Sequence, residues 1–284
     1  RYPVDRSNIY LGVQNFANEQ KKLDYLLALL PKLAGKGIVY FSSKKKADEI
    51  NDKLVTKGFK SAVYHADLEL TERFLVQQQF LNDQLDVICA TSAFGMGINK
   101  PNIRYVIHYH MPNDLEAYVQ EIGRCSRDGR PGIAVLLYEP SDLKRQEFLI
   151  EKTLPNSQQI KYFIKHQELL QNFASEETQL LARLLANGYQ KDQIEILVKK
   201  RQTERNDALQ KMYQYLKTGS CKRQFIAQYF GDKIENVHSS DTCCGADQPL
   251  PLEKLGLLGE SVVRADGKKE QDYREILQQL FKET

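Results

Sequence analysis

"DVICATSAFGMGINKPNIRYVIHY", residues 86–109, sets two short apolar runs on either side of a loop of glycine and small polar residues. The runs "DVICAT" (86–91) and "IRYVIHY" (103–109) are rich in Val, Ile and Tyr, as strands buried on both faces of a parallel sheet are. "GIVYF" (37–41), "SAVYH" (61–65) and "GIAVLLY" (132–138) repeat the texture. Helix-like stretches separate them. "SKKKADEINDKLVTKG" opens on serine and stops at Gly58, "TERFLVQQQFLND" has apolar residues at helical spacing, and "PNDLEAYVQEIGRCSRDG" runs from Pro-Asn-Asp to glycine. Strand and helix in alternation predict an α/β fold, a parallel sheet with helices on both faces. Ligands gather at the carboxyl ends of such strands. The segments "ATSAFGMGINKPN" and "YHADLEL" follow strands and are expected on that edge.

The chain has 284 residues, enough for about two domains. It is 42% hydrophobic and 27% charged, with a formal net charge of only +3. That balance excludes a histone-like electrostatic blanket, so any nucleic-acid contact has to come from local patches. No apolar run reaches the roughly 18 residues of a membrane span, and no signal peptide is visible. Arginine stands first, so the chain reads as a piece of a longer one. Five cysteines, Cys89, Cys125, Cys221, Cys243 and Cys244, form no disulfide framework, which points to a reducing, cytoplasmic setting (the nucleoid, if bacterial).

"QEIGRCSRDGRPG" (120–132) places Arg124 and Arg127 three apart among Gly123, Ser126 and Gly129, a composition suited to phosphate. Yet the pattern G-x-x-x-x-G-K-[ST] is absent, and no Asp-Glu pair stands at a strand end to hold magnesium. A nucleoside triphosphate therefore lacks a complete site here. Arginines supplied to a site built by another domain are a known device for stabilising a transferring phosphoryl group. The alternative is two surface arginines paired with Glu121 and Asp128.

"TSAFGMGINKPNIRYVIHYHMPNDLEAYVQEIGRCSRDGRPG" (91–132) strongly resembles the fifth and sixth motifs of the RecQ family of superfamily-two DNA helicases. "IVYFSSKKKADEI" resembles its fourth motif, "AVYHADLELTERFLVQQQF" the segment after it, and "YPVDRSNIYLGV" the entry to the second RecA-like domain. The resemblance implies a 3′-to-5′ motor in which ATP with Mg2+ sits between two RecA-like lobes. This chain would carry the second lobe and work with a first lobe and with DNA, as single strands and duplex junctions. It implies Arg127 as the arginine finger, Arg124 facing the γ-phosphate, and Gln120 coupling nucleotide to the lobe interface. Thr91, Ser92, Gly95, Gly97, Asn99 and Lys100 fall in the fifth motif, and Ser42, His65 and Arg73 in the segments before it, as nucleotide or DNA-backbone contacts. Hydroxyls and an ammonium hold phosphate without reading bases, as a motor indifferent to sequence requires. Where the family has Ala-Gly between the arginines, this chain has Cys125-Ser126, both small enough to keep the geometry. No base accompanies Cys125, and His108 and His110, on a strand-like run, read as structural.

Beyond residue 140 the texture turns helical. "SEETQLLARLLANG" has Ser175 as cap and Gly188 as stop, and "KDQIEILVKKRQTERNDALQKMYQYLKTG" continues at helical spacing. We divide the chain into a second RecA-like domain (1–150), a helical connection or insertion (151–215), and a zinc-binding-module-like helical domain with a short tail (216–284). "KKRQTER" (199–205) fits either a DNA-facing patch or a solvated helix face. "CKRQFIAQYFGD" (221–232) resembles the helix that opens the family's zinc module, whose first ligand Cys221 matches. The loop "NVHSSDTCCGADQP" offers His238, Cys243 and Cys244, with Asp241 and Asp247 as alternatives. One register selects His238, Asp241 and Cys244; another selects His238, Cys243 and Asp247; the adjacent cysteines can also both ligate. The other reading is a decayed site held by packing of Phe225, Ile226, Tyr229 and Phe230. The tail has room for one amphipathic helix, "EQDYREILQQLF", and none for a winged-helix domain. Two function classes remain: half of an ATP-dependent helicase, inactive alone, or a non-catalytic nucleic-acid- or partner-binding module.

Overall fold

The computed structural model describes residues 5–95, 98–172, 175–232 and 241–259. Gly97, His238 and the expected tail helix lie outside them. Seven strands form one sheet: β1 (Ile9–Asn15), β2 (Lys36–Tyr40), β3 (Ser61–Tyr64), β4 (Val87–Ala90), β5 (Ile103–His108), β6 (Gly132–Tyr138) and β7 (Cys244–Ala246). Their order is β3-β4-β2-β5-β6-β1-β7, and every pair is parallel. The five strands expected from Val, Ile and Tyr content are all present. β1 and β7, at the other side of the sheet, were not among them.

Successive residues of a strand point to opposite faces, and each face has its own core. Ile9, Leu11, Ile38, Ile88, Val106 and Ala134 look toward α3 (Leu70–Leu81) and α4 (Leu115–Ile122). The later helices α8 (Lys191–Lys217) and α9 (Lys222–Phe230) cover the same face. Tyr10, Val39, Cys89, Ile107 and Val135 look toward α1 (Glu19–Leu29) and α2 (Lys44–Thr56). Leu252 and Leu257, beyond β7, join this second core. Local signals set the helix starts: Asn18 accepts from the Lys21 N–H at 3.0 Å, Ser43 from Lys46 at 3.3 Å and Asp114 from Ala117 at 2.6 Å.

A third, smaller core joins α6 (Ser157–Lys165), a 3-10 turn (Gln167–Asn172), α7 (Glu176–Ala186) and the first half of α8 through Ile160, Phe163, Leu181, Ile194 and Val198. The Ser175 hydroxyl, expected to cap α7, lies 2.9 Å from the Thr178 hydroxyl instead. α8 is 27 residues long, about 40 Å of helix. Its early residues sit in the small core, while Leu209, Met212, Tyr215 and Leu216 enter the core of the sheet. The expected divide near residue 215 therefore falls inside one continuous helix.

At the carboxyl end of the sheet, Lys22 of α1 meets Asp142 of α5 (Pro140–Lys152) at 2.8 Å, and neither side chain is exposed. The ammonium also lies 4.7 Å from the centre of the Tyr109 ring. Burial outweighs the mutual attraction on both partners: it pushes the Lys22 pKa down and the Asp142 carboxyl up to about 6. Removing one partner strands the other charge. We predict that Lys22→Met lowers the unfolding free energy in urea by about 3–5 kcal/mol, and that adding Asp142→Leu recovers most of it. Equal stability of Lys22→Met and wild type would refute the pair's role as a clamp between α1 and α5.

Candidate functional site: a loop crossed by two arginines

β4 and β5 are parallel, so the chain has to return from the carboxyl end of one to the amino end of the other. It does so through residues 91–102, with no helix among the described residues. Phe94 and Ile98, both buried, anchor this loop in the core beside α4. Thr91 is half-buried, and Ser92 and Asn99 are exposed. The sixth-motif residues follow directly. Gln120 is exposed on α4, and the helix ends at Ile122, so Arg124 and Arg127 stand in the turns after it.

The two arginines lie across the loop. Arg124 is 6% exposed and donates from Nη1 to the Gly95 carbonyl. Gly95 has φ +132°, and a Cβ there would come within 1.9 Å of the Arg124 guanidinium carbon. Only glycine fits this position. Arg127 is exposed, and its Nη1 donates to the Ile98 carbonyl at 3.0 Å and to Asn99 Oδ1 at 3.1 Å. The alternative pairing with Glu121 and Asp128 is absent. Glu121 accepts from His108 Nε2 at 2.8 Å, and Asp128 pairs with Arg104.

The departure from the family pattern between the arginines has a specific accommodation. Ser126 has φ +50°, a left-handed conformation in which a Cβ is disfavoured. Its hydroxyl is fully buried, donates to the Ile103 and Pro131 carbonyls at 3.3 and 3.2 Å, and accepts from Arg104 at 3.0 Å. Cys125 is also fully buried, and burial pushes its pKa up to about 11, away from a reactive thiolate.

The remaining predicted residues occupy strand ends. His65, after β3, is 7% exposed and meets Asp48 at 3.1 Å. Ser42, after β2, donates its backbone N–H to His110 Nδ1 at 3.1 Å. His110 is 3% exposed, and burial, with Lys22, Arg145 and Lys46 nearby, lowers its pKa to about 2, so the ring is neutral. Arg73 is half-buried on α3, with Nε buried and without a partner among the described residues. Buried His108 and His110 have the structural roles expected of them.

Lys100, expected on the DNA path, is 2% exposed and donates to the Leu81 carbonyl at 3.2 Å and to Asp83 at 2.7 Å. Its ammonium closes the end of α3, where cations are favoured.

Cys221, Cys243 and Cys244 come together, with Sγ atoms within 4.8 Å of one another. Cys221 lies 3.8 Å from Cys243 and 3.6 Å from Cys244. A tetrahedral zinc with Zn–S bonds of about 2.3 Å sets sulfurs roughly 3.8 Å apart, so this spacing fits one ion. Burial raises the Cys221 pKa, but backbone N–H groups of Gln224 and Arg223 at the start of α9 and the neighbouring thiols outweigh it, leaving the thiol below its ordinary value. Both aspartates are engaged elsewhere. Asp247 accepts from the Asn15 backbone and side chain at 2.7 Å each, and exposed Asp241 pairs with Lys254 at 2.6 Å. Of the registers open in the sequence, the geometry favours the one that uses both adjacent cysteines. The expected fourth ligand, His238, lies outside the described residues.

Two residues beside Cys221 went unread in the sequence. Lys222 donates from Nζ to the carbonyls of Tyr215, Leu216 and Thr218, closing the end of α8. Arg223 reaches Asp5 at 2.6 Å and the carbonyls of Arg6 and Ile9, tying α9 to the start of β1. The basic run at 199–205 is mostly exposed, except that Arg205 donates to Thr153 Oγ1 at 2.6 Å.

A parallel sheet with this crossed loop is the RecA-like lobe of a helicase, and comparison with known proteins agrees. The helicase conserved C-terminal domain matches residues 21–129, and the RecQ zinc-binding family matches residues 140–246, which include all three clustered cysteines. The probable ATP-dependent DNA helicase RecS of Bacillus subtilis is 37% identical over 259 residues, covering 85% of this chain and 52% of that protein. The ATP-dependent DNA helicase RecQ of Haemophilus influenzae is 40% identical over 188 residues, 65% of this chain and 29% of that protein. Among solved structures, a DEAD box protein from Methanococcus jannaschii is 27% identical over 51% of this chain and 40% of its own, with a TM-score of 0.45. The chain belongs to the RecQ helicase family and carries its C-terminal helicase domain and zinc-binding region. It spans about half, or less, of the length of these relatives. Among the described residues no helix is long and apolar enough to cross a membrane.

We predict that Lys100→Ala destabilises the lobe by about 1–3 kcal/mol in urea unfolding, because it removes a buried ammonium and its charge-assisted bonds to the end of α3. Full stability together with weakened single-strand binding would return Lys100 to the DNA path.

Proposed function

We propose that this chain is the second motor half of an ATP-dependent 3′-to-5′ DNA helicase. The observation that carries the reading is the asymmetric placement of the two arginines on the fifth-motif loop. Arg124 is buried against Gly95, while Arg127 is exposed and held by the loop oxygens of Ile98 and Asn99 and, at 3.4 Å, by the Gly123 carbonyl. Arg127 is in this reading the finger, free to exchange those partners for the γ-phosphate of ATP held with Mg2+ on a first lobe. Arg124 fixes the loop from which it works, and Gln120 faces the lobe interface. Ser42, His65, Arg73, Thr91, Ser92 and Asn99 line the strand ends and loop from which single-stranded DNA backbone, near a duplex junction, is contacted without base readout. The second-lobe division at 1–150, with 151–215 and 216–284 following, remains part of this proposal.

Cys221, Cys243, Cys244 and His238 would hold zinc as a structural cross-link, joining the start of α9 to the edge of the sheet. Zinc in such a site supplies folding free energy and no chemistry on the substrate.

In the full-length protein, Arg127→Ala should cut ATP turnover by roughly a thousandfold or more while leaving the fold intact. An unchanged rate would place the finger elsewhere. The chain by itself should hydrolyse no ATP, because the cradle and metal ligands lie outside it; measurable turnover by the purified chain would refute the shared site. Elemental analysis of the purified chain should give one zinc, lost on chelation together with thermal stability. A folded chain without zinc would leave packing of Phe225, Ile226 and Tyr229 as the support of this region.

A further inference from the structure

α4 has only eight residues. An isolated helix shorter than about 12–15 residues is marginal, so its position depends on what it packs against. Its inward residue Tyr118 is fully buried, as is Tyr215 of α8, and their hydroxyls lie 3.2 Å apart. The rings are 5.2 Å apart, centre to centre. A buried hydroxyl pair is directional: each group satisfies the other, and removing one leaves the other without a partner.

Tyr215 is also bound to the cysteine cluster. Its carbonyl accepts from Lys222 Nζ at 2.8 Å, and the Lys222 backbone N–H donates to Cys244 Sγ at 3.4 Å. Cys244 packs against the same core that holds Tyr118 and Tyr215. A second link runs from α9, where the Tyr229 hydroxyl donates to Glu116 of α4 at 2.7 Å. The path from the cysteines to the helix preceding Arg124 and Arg127 is thus continuous and buried along the tyrosines.

We propose that the Tyr118–Tyr215 hydroxyl pair makes metal occupancy at Cys221, Cys243 and Cys244 set the rigidity of α4, and so the placement of the two arginines. This rests on the zinc reading above. A bound ion holds the start of α9 and the β7 edge at fixed separation. Lys222 then holds the end of α8, and Tyr215 presents its hydroxyl to Tyr118. Without the ion, the cysteine spacing has no covalent support, and α4 loses a fixed partner.

The test is amide hydrogen exchange on the purified chain, zinc-loaded and then chelated, for wild type and Tyr215→Phe, with zinc content read beforehand by elemental analysis. In wild type, chelation should speed exchange across Leu115–Ile122 by roughly tenfold more than it speeds exchange of the amides of β2 and β4, which report any global loss of stability. In zinc-loaded Tyr215→Phe, those α4 amides should already exchange faster, and chelation should change them within about twofold of its effect on β2 and β4. Tyr118→Phe reads the same link from the other side and should behave alike. A zinc-loaded wild type whose α4 ignores chelation, or a Tyr215→Phe chain that responds as wild type does, overturns the coupling. A folded chain with no zinc overturns the metal reading itself, an outcome elemental analysis separates from the first two.

Discussion

A parallel sheet has to be covered on both faces and at its edges, and in this protein the edge at β1 is closed by three residues that include a clustered cysteine. Cys244, Gly245 and Ala246 pair in parallel with Leu11, Gly12 and Val13. The contact continues on either side. Asp247 receives two hydrogen bonds from Asn15, and Arg223 donates to the carbonyl of Ile9, the first residue of β1. The cysteine segment is therefore part of the lobe, not an appendage to it. A metal ion there would tie the last strand of the sheet to the helix that braces the first. Loss of the ion would be felt where β1 begins as much as in the cysteine loop.

The same constraint explains α8. Six strands expose an apolar face too wide for α3 and α4 alone, and the second half of α8 completes its cover with Leu209, Met212, Tyr215 and Leu216. The first half emerges from the sheet and supplies Ile194 and Val198 to the small helical core. One helix thus belongs to two cores and joins the small one to the lobe. It also explains why the zinc-binding family match begins at residue 140, well before the cysteines. The helices between are the route by which the chain returns to the sheet's open edge.

The central strands were legible because burial on both faces demands uninterrupted Val, Ile and Tyr, and α2, α3 and α4 because their caps and periodicity are local. The sixth-motif arginines were legible as a pattern. What sequence withheld was direction and distance. Lys22 and Asp142 are 120 residues apart, and Asn15 and Asp247 are 232 apart. No window along the chain relates them. Lys100 has the chemistry for phosphate, and only its bonds to the Leu81 carbonyl and Asp83, across the end of α3, show that its ammonium is already engaged. Asp241 and Asp247 were plausible metal ligands until each was found beside a closer partner. β7 is three residues with no apolar run, so only its pairing reveals it.

The arginines show how one motif divides two tasks by burial alone. A guanidinium that has to leave its partners for a transferring phosphate cannot be deeply buried, since stranding or moving a buried charge is costly. One that has to hold a loop in a fixed shape gains from burial, because a low-dielectric surrounding strengthens its hydrogen bonds. Arg124 meets the second requirement, with Gly95 shaped to receive it, and Arg127 meets the first, on exposed loop acceptors. Between them, Ser126 at φ +50° shares its one hydroxyl proton between the Ile103 and Pro131 carbonyls and accepts from Arg104, so the turn is held by contacts. The spacing of the arginines is then set by packing against β5 and the start of β6, which are themselves inside the sheet. Arg127 is thus presented from strands inside the sheet while itself exposed, which is what the proposed finger role requires of it.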